Sequence, residues 1–188
     1  MDKKEKVLRY SMLIIGVCTM SLGIALSIKC GLGTTCISSI PYVLTITFPV
    51  LTVGQYTILF NFLLVVFQFV LLKKIDVKLF AQMIVCLLFG YVIDFMLWVL
   101  TPLNPSFYPN QILVCLLGCF VLAIGILIEI KSDITMLPGD AAIYVLSEVS
   151  NIEYGKVKPF FDGSLVIIAA IISIVFLGYL DAVREGTV

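Results

Sequence analysis

Long apolar runs, separated by short polar segments, organise this chain. They cover residues 11–28, 53–72, 79–100, 111–130 and 159–180. A helix needs about 20 mainly apolar residues to cross a hydrocarbon core of ~30 Å. Each run therefore predicts a transmembrane helix, and we expect an all-α polytopic membrane protein with five of them.

Two further segments are too polar or too interrupted for a lipid-facing span. Residues 30–49, CGLGTTCISSIPYVLTITFP, hold two glycines, two prolines, four threonines and two serines. Residues 136–162 open with Pro-Gly-Asp, where Asp140 is the expected N-cap of a helix over 141–148. Such backbone is tolerated at membrane depth only where protein or water covers it. We therefore expect two short re-entrant helices.

An internal repeat links the two short segments. An offset of 102 residues pairs Gly16 with Gly118, Gly23 with Gly125, Lys29 with Lys131, and Tyr42 with Tyr144. Further along the chain, an offset of 101 residues pairs Asn61 with Asp162. The chain is thus expected to form a single transmembrane domain over residues 1–188, with repeat 1 at about 10–100 and repeat 2 at about 111–188.

The number of crossings in a unit decides how the two copies are related. A unit of three crossings and one re-entrant helix has an odd number of crossings, so its copy is inverted, as in many secondary transporters. The second unit is one crossing short. A sixth span would be expected after Val188, so either the chain is truncated there, or a partner covers that flank, or the count of crossings is wrong.

The basic residues favour a cytoplasmic N-terminus. If both short helices re-enter, ten of the twelve basic residues fall on the cytoplasmic side: Lys3, Lys4, Lys6, Arg9, Lys73, Lys74, Lys78, Lys131, Lys156 and Lys158. Lys29 and Arg184 fall outside. A full crossing by the first short segment would move three of the ten to the outside, which makes the re-entrant arrangement the better one.

Composition excludes several classes of function. The chain is 61% hydrophobic and 13% charged, with mean hydropathy +1.16 and a formal net charge of zero, so nothing points to nucleic acid. It has no histidine, and its six cysteines show no CxxC spacing. No phosphate-binding glycine motif is present either. We expect no enzyme activity, no cofactor and no metal site.

Polar residues inside the predicted spans are the candidate ligand-binding groups. Asp162 lies in the fifth run, and its repeat partner Asn61 lies in the second, together with Gln55. An ionised carboxylate is costly at membrane depth, so it should face protein or water. The functional interpretation is a solute or cation site between the repeats. The alternative is an interhelical hydrogen bond, or an ion pair with Lys158 four residues earlier on the same helix.

Other polar residues are weaker candidates. Asp94, deep in the third run, could hold a coupling proton or sodium ion, as could Asp162. Asp140 and Lys158 could also contact a ligand, whereas the alternatives are that Asp140 serves only as a cap and Lys158 only as the partner of Asp162. Thr34 and Thr35 offer hydroxyl groups at the start of the first short helix, although membrane helices also use such residues for close packing.

Several motifs resemble those of the bacterial YczE/YyaS/YitT group of integral membrane proteins. These are GLGTTCISSIPYVL, TVGQYTILFN, MLPGDAAIYVLSEVSN, YGKVKPFFD and the terminal VREGT, together spanning nearly the whole chain. The resemblance implies a multi-pass protein of the bacterial inner membrane, suspected of transport, with six spans as the family norm. It implies no particular substrate.

The function we expect is therefore a small transporter or permease for a small solute, with proton or sodium coupling left open. Its partners would be membrane lipid, the solute, and a second copy or a partner subunit. Two alternatives remain: a solute-capture subunit of a larger transporter, and a scaffold or regulator that transports nothing.

Overall fold

The computed structural model describes residues 3–73, 77–105, 107–179 and 187. Within these ranges the chain forms seven α-helices and no strand: α1 (Lys3–Lys29), α2 (Cys36–Thr47), α3 (Val53–Leu72), α4 (Val77–Val99), α5 (Tyr108–Ser132), α6 (Pro138–Ser150) and α7 (Tyr154–Leu177). All except α2 and α6 are long and apolar enough to cross a membrane. The expected all-α class with five long apolar helices is confirmed. Lys74, Arg184 and most of the REGT motif lie outside the described residues.

Two of the helices that begin earlier than the sequence predicts, α6 and α7, have a proline near their start. α7 starts at Tyr154, and Pro159 lies inside it, because a proline in the second turn removes only one hydrogen bond of the helix. α6 starts at Pro138, with Leu137 as its N-cap, so the prediction that Asp140 caps this helix is wrong. Proline suits the first helical position because its missing N–H would be unpaired there. Asp140 lies instead in the first turn.

A close crossing of α1 and α5 forms the most extensive helix contact in the described structure. The helices are antiparallel, since Gly16 lies beside Gly125 and the later Gly23 beside Gly118. A Cβ atom on Gly23 would lie 2.7 Å from the backbone N of Leu122. Small residues at such a crossing let two membrane helices approach closely without a polar contact.

The buried apolar side chains form two clusters. One cluster joins α1 to α4 and reaches the start of α6; it consists of Leu13, Val17, Met20, Ile24, Val85, Phe89, Ile93 and Leu137. A second joins α2 to α7 and consists of Ile40, Val43, Leu165 and Ala169. Large apolar side chains elsewhere on the long helices, such as Leu113 and Trp98, are exposed. Such side chains suit contact with lipid.

Both short helices pack between the same two long helices. α2 contacts α3 and α7, and α6 contacts α3 and α7. The first turns of α2 and α6 therefore lie close together. A Cβ atom on Gly139 of α6 would lie 2.8 Å from Cδ1 of Ile37 in α2.

The α1–α5 crossing predicts a specific loss of stability. Gly23→Ala should lower the free energy of unfolding by about 1–3 kcal/mol, because the added methyl group meets backbone atoms that cannot yield without shifting a helix. Gly155→Ala is the matched control, since nothing lies within 4 Å of the Cβ it would add. Unfolding in detergent micelles, followed by circular dichroism, compares the two variants. Equal effects would show that the crossing is not tightly packed.

Candidate functional site

A cavity of about 230 Å³ lies where the first turns of α2 and α6 meet α3 and α7. Thr35, Asn61, Asp140, Lys158 and Asp162 line it on the polar side. Apolar side chains of α1, α4 and α5 close the other side: Met20, Ile24, Phe89, Leu122 and Ile126. We call this the central cavity. The fold thus brings five of the predicted ligand-binding residues together from three helices, α3, α6 and α7, and the turn before α2.

A charged cluster forms one wall of the central cavity. Nζ of Lys158 lies 2.8 Å from Oδ1 of Asp140 and 3.9 Å from Oδ2 of Asp162. The hydroxyl of Tyr154 donates to the same Asp140 oxygen at 3.3 Å. The two carboxylate side chains are each 21% exposed and that of Lys158 is 39% exposed. Charges at membrane depth are costly, and pairing offsets part of that cost.

The predicted pair of Lys158 with Asp162 on one helix is therefore present, but Lys158 lies closer to Asp140 on α6. An ion pair in which Lys158 only neutralises Asp162 does not account for this geometry. Asp140 takes the shorter contact, and two carboxylates share a single ammonium group. With both acids ionised, the cluster carries one net negative charge.

One carboxylate oxygen of the cluster has no partner. Oδ1 of Asp162 is buried and makes no hydrogen bond within the described structure. Asn61, its repeat partner in the sequence, is 2% exposed and lines the same cavity from α3. Most buried polar atoms in proteins are hydrogen-bonded, so an unpartnered carboxylate oxygen beside a cavity calls for a donor from a ligand, an ion or water.

The N-termini of both short helices lie at the edge of the central cavity. Thr35 is the N-cap of α2, and neither it nor Leu137, the N-cap of α6, makes a side-chain cap hydrogen bond. The first N–H groups of a helix have no partner within the helix and carry partial positive charge. Backbone donors and carboxylate acceptors therefore lie close to one another at this cavity.

Thr34 is held beside the central cavity but does not line it. Its backbone N–H donates to Oγ1 of Thr187 at 3.1 Å, and its own Oγ1 is buried without a partner in the described structure. Thr187 ends the REGT motif, so this contact joins the end of the chain to the start of α2. Of the two predicted threonines, only Thr35 lines the cavity.

Gln55 and Asp94 lie at the N-terminus of α3, where they cap it. Oε1 of Gln55 accepts from the N–H of Thr52, and the Thr52 hydroxyl accepts from the N–H of Gln55. Oδ1 of Asp94 accepts from the N–H of Gly54 at 2.8 Å, and Oδ2 accepts from the Thr52 hydroxyl at 2.5 Å. Neither residue is among those that line the central cavity.

Two buried residues that the sequence analysis did not select hold the first turn of α6. Oε1 of Glu129, which is 3% exposed, accepts from the N–H of Leu137 at 2.6 Å. Nε2 of Gln68, 1% exposed, donates to the carbonyl oxygen of Pro138 at 3.2 Å. A carboxylate eight residues before Leu137 and the Pro-Gly helix start was the available signal for Glu129.

The charged cluster predicts energetic coupling between α6 and α7. Lys158→Met should lower the free energy of unfolding by about 1–3 kcal/mol, because it leaves two carboxylates without their counter-charge. Adding Asp140→Asn should recover part of that loss, since one of those carboxylates is then neutral. A double-mutant cycle in detergent measures the coupling.

The pair Glu153 and Lys156 is the matched control for this cycle. Its atoms lie 3.4 Å apart, with side chains 77% and 73% exposed. An exposed pair of this kind should show no measurable coupling. If the effects of Lys158→Met and Asp140→Asn on the free energy of unfolding are strictly additive, the two residues do not stabilise each other, which would contradict this prediction.

Comparison with known proteins gives one match. Residues 7–188 match the model of a family of unknown function, DUF6198. No significant match was found among curated proteins or solved structures. The resemblance to the YczE/YyaS/YitT group stays a prediction. Because the match covers nearly all of the chain, the protein belongs to the DUF6198 family.

Proposed function

We propose that the protein is a small membrane transporter or permease that binds a small polar solute in the central cavity. One observation carries the proposal: two short helices begin at a cavity whose charged wall contains an unpartnered carboxylate oxygen of Asp162. Binding sites of many secondary transporters are built from helix termini in this way. With a purely structural ion pair, water in the cavity would have to supply the donor for this oxygen.

An inverted repeat is part of the proposal, and the packing supports it. If α1, α2 and α3 correspond to α5, α6 and α7, the contact between α2 and α7 has its counterpart in the contact between α6 and α3. The contact of α2 with α3 corresponds likewise to that of α6 with α7. At the α1–α5 crossing, Gly16 beside Gly125 is the counterpart of Gly23 beside Gly118.

The membrane topology also belongs to the proposal. We place the protein in the bacterial inner membrane with its N-terminus in the cytoplasm, as the distribution of basic residues favours. α2 and α6 then enter from opposite faces and return to them. Their first turns meet near the middle of the bilayer, where an inverted-repeat transporter keeps its substrate.

The polar groups of the central cavity indicate the kind of solute. Oδ1 of Asp162 requires a donor, and Asn61 can donate and accept. The helix N-termini attract a carboxylate or another electronegative group. A small solute with an amino or hydroxyl group at one end and an acceptor at the other would satisfy both sides, and an amino acid or a polyol has this chemistry.

Coupling to a proton or sodium ion, if present, would involve Asp162 rather than Asp94. Both oxygens of Asp94 bind the start of α3, whereas Asp162 keeps an oxygen without a hydrogen bond in the described structure.

The two alternative functions differ in whether the central cavity binds a solute. A solute-capture subunit would bind the same solute and pass it to an energised partner, and a scaffold or regulator would bind none.

Ligand-dependent unfolding tests the proposal. The purified protein is heated with and without a panel of amino acids, polyols and sodium salts, beside Asp162→Asn and the control Glu153→Gln. At least one compound should raise the unfolding temperature of the wild type and of the control, because a ligand that binds only the folded state stabilises it. The shift should vanish in Asp162→Asn, which loses the acceptor charge. No shift in any protein, or an equal shift in all three, would contradict binding at this cavity.

A further inference from the structure

A second and larger cavity, of about 560 Å³, lies between α3, α4, α5 and α6. We call it the side cavity. Gln68, Gln82, Glu129 and Tyr144 contribute polar groups to its wall. Leucine, isoleucine, valine and methionine side chains form the apolar part of the wall: Leu72, Leu79, Ile130, Ile134, Met136 and Val145. None of the residues that line the central cavity lines this one.

The first turn of α6 separates the two cavities. On one side Asp140 belongs to the central cavity, and on the other Ala141 lines the side cavity. Glu129 and Gln68 hold this turn through the N–H of Leu137 and the carbonyl of Pro138. The side cavity is therefore a separate space with its own buried carboxylate.

One buried acceptor of the side cavity, Oε1 of Gln82, lacks a donor in the described structure, and Glu129 has further capacity to accept. A carboxylate offers about four lone-pair sites, and the N–H of Leu137 uses one of those on Glu129. Gln82 is 6% exposed, and its Oε1 has no hydrogen-bond partner in the described structure. A ligand that fits these two residues must supply N–H or O–H donors.

The charges of the side cavity indicate a cation. In the described part of the chain, the charged side chains that line it are those of Glu129, Asp133 and Glu148. Asp133 is paired with Arg9 at 2.9 Å, and Glu148 is exposed. Glu129 is thus the buried carboxyl group of the wall, and its ionised form is costly there unless a cation pairs with it.

We infer that the side cavity binds a small organic ammonium ion, with the ammonium group at Glu129 and Gln82 and a short hydrocarbon chain against the leucine and isoleucine wall. An ammonium group has three N–H donors, which match the acceptors of these two residues. The cavity is too large and too apolar to form a tight oxygen cage for a bare metal ion, which binds to several oxygens at short range. This inference does not depend on transport or on the central cavity.

Binding of n-butylammonium to the full-length protein in detergent tests the inference, with 1-butanol as the uncharged ligand of similar size. Isothermal titration calorimetry should detect the ammonium ion and a much weaker response to the alcohol. Glu129→Gln should raise the dissociation constant for butylammonium at least about tenfold, because the counter-charge is lost while an oxygen remains for the Leu137 N–H.

Glu148→Gln is the matched control, since it makes the same change of charge at an exposed residue of the same wall. It should change the dissociation constant by no more than about twofold, as expected for a screened surface charge. Equal weakening by both substitutions would mean general attraction to negative charge and would overturn the inference. Equal binding of butanol and butylammonium would overturn it too.

Gln82→Met keeps the test decisive if Glu129→Gln fails to fold. It removes the unpartnered oxygen and keeps a side chain of similar length. The hydrogen bond that Glu129 accepts from the N–H of Leu137 is left undisturbed. Butylammonium should bind this variant several-fold more weakly, whereas Asp162→Asn should leave its binding unchanged. Unchanged binding in Gln82→Met, or loss of binding in Asp162→Asn, would show that the ion does not occupy the side cavity.

Discussion

Backbone groups at the starts of α2 and α6 must find partners inside the protein, and the rest of the structure depends on this constraint. Hydrocarbon supplies no hydrogen bonds, and an unpaired backbone group there costs several kcal/mol. Glu129 and Gln68 pair with the first turn of α6, and Thr187 pairs with the N–H of Thr34 just before α2. These residues come from distant parts of the chain, so the short helices are fixed only when the long helices are in place.

The same constraint explains where the candidate site lies. Each short helix is flanked by α3 and α7, and its N-terminus lies at the central cavity rather than at the surface. The N–H groups there attract negative charge, which fits the two carboxylates and the amide of Asn61 that line the cavity. Lys158 offsets the repulsion between Asp140 and Asp162. The α1–α5 glycine crossing packs closely beside the central cavity, and the charged groups of the cavity come from other helices.

The sequence predicts the spans well because hydrophobic runs are a local property. α3 begins and ends at the residues expected, and the short helix α2 lies within the segment assigned to it. The repeat register also relates Asn61 to Asp162, and these two residues line the same cavity. The sequence does not predict the roles of Glu129 and Gln68, because their pairing with backbone groups at the start of α6 depends on the tertiary packing around that turn. The placement of Gln55 and Asp94 at a helix cap likewise depends on the α3–α4 packing, which no local pattern gives.

The proposed site depends on two short helices that enter the membrane from opposite faces, and side-selective thiol labelling tests this topology most directly. Val50→Cys, in the turn after α2, and Ile152→Cys, in the turn after α6, are introduced separately into a variant whose six native cysteines are replaced by alanine. In intact cells a membrane-impermeant maleimide should label residue 50, and it should label residue 152 only after permeabilisation. Labelling of both residues from the same side would contradict the inverted arrangement and, with it, a central site reached alternately from the two faces.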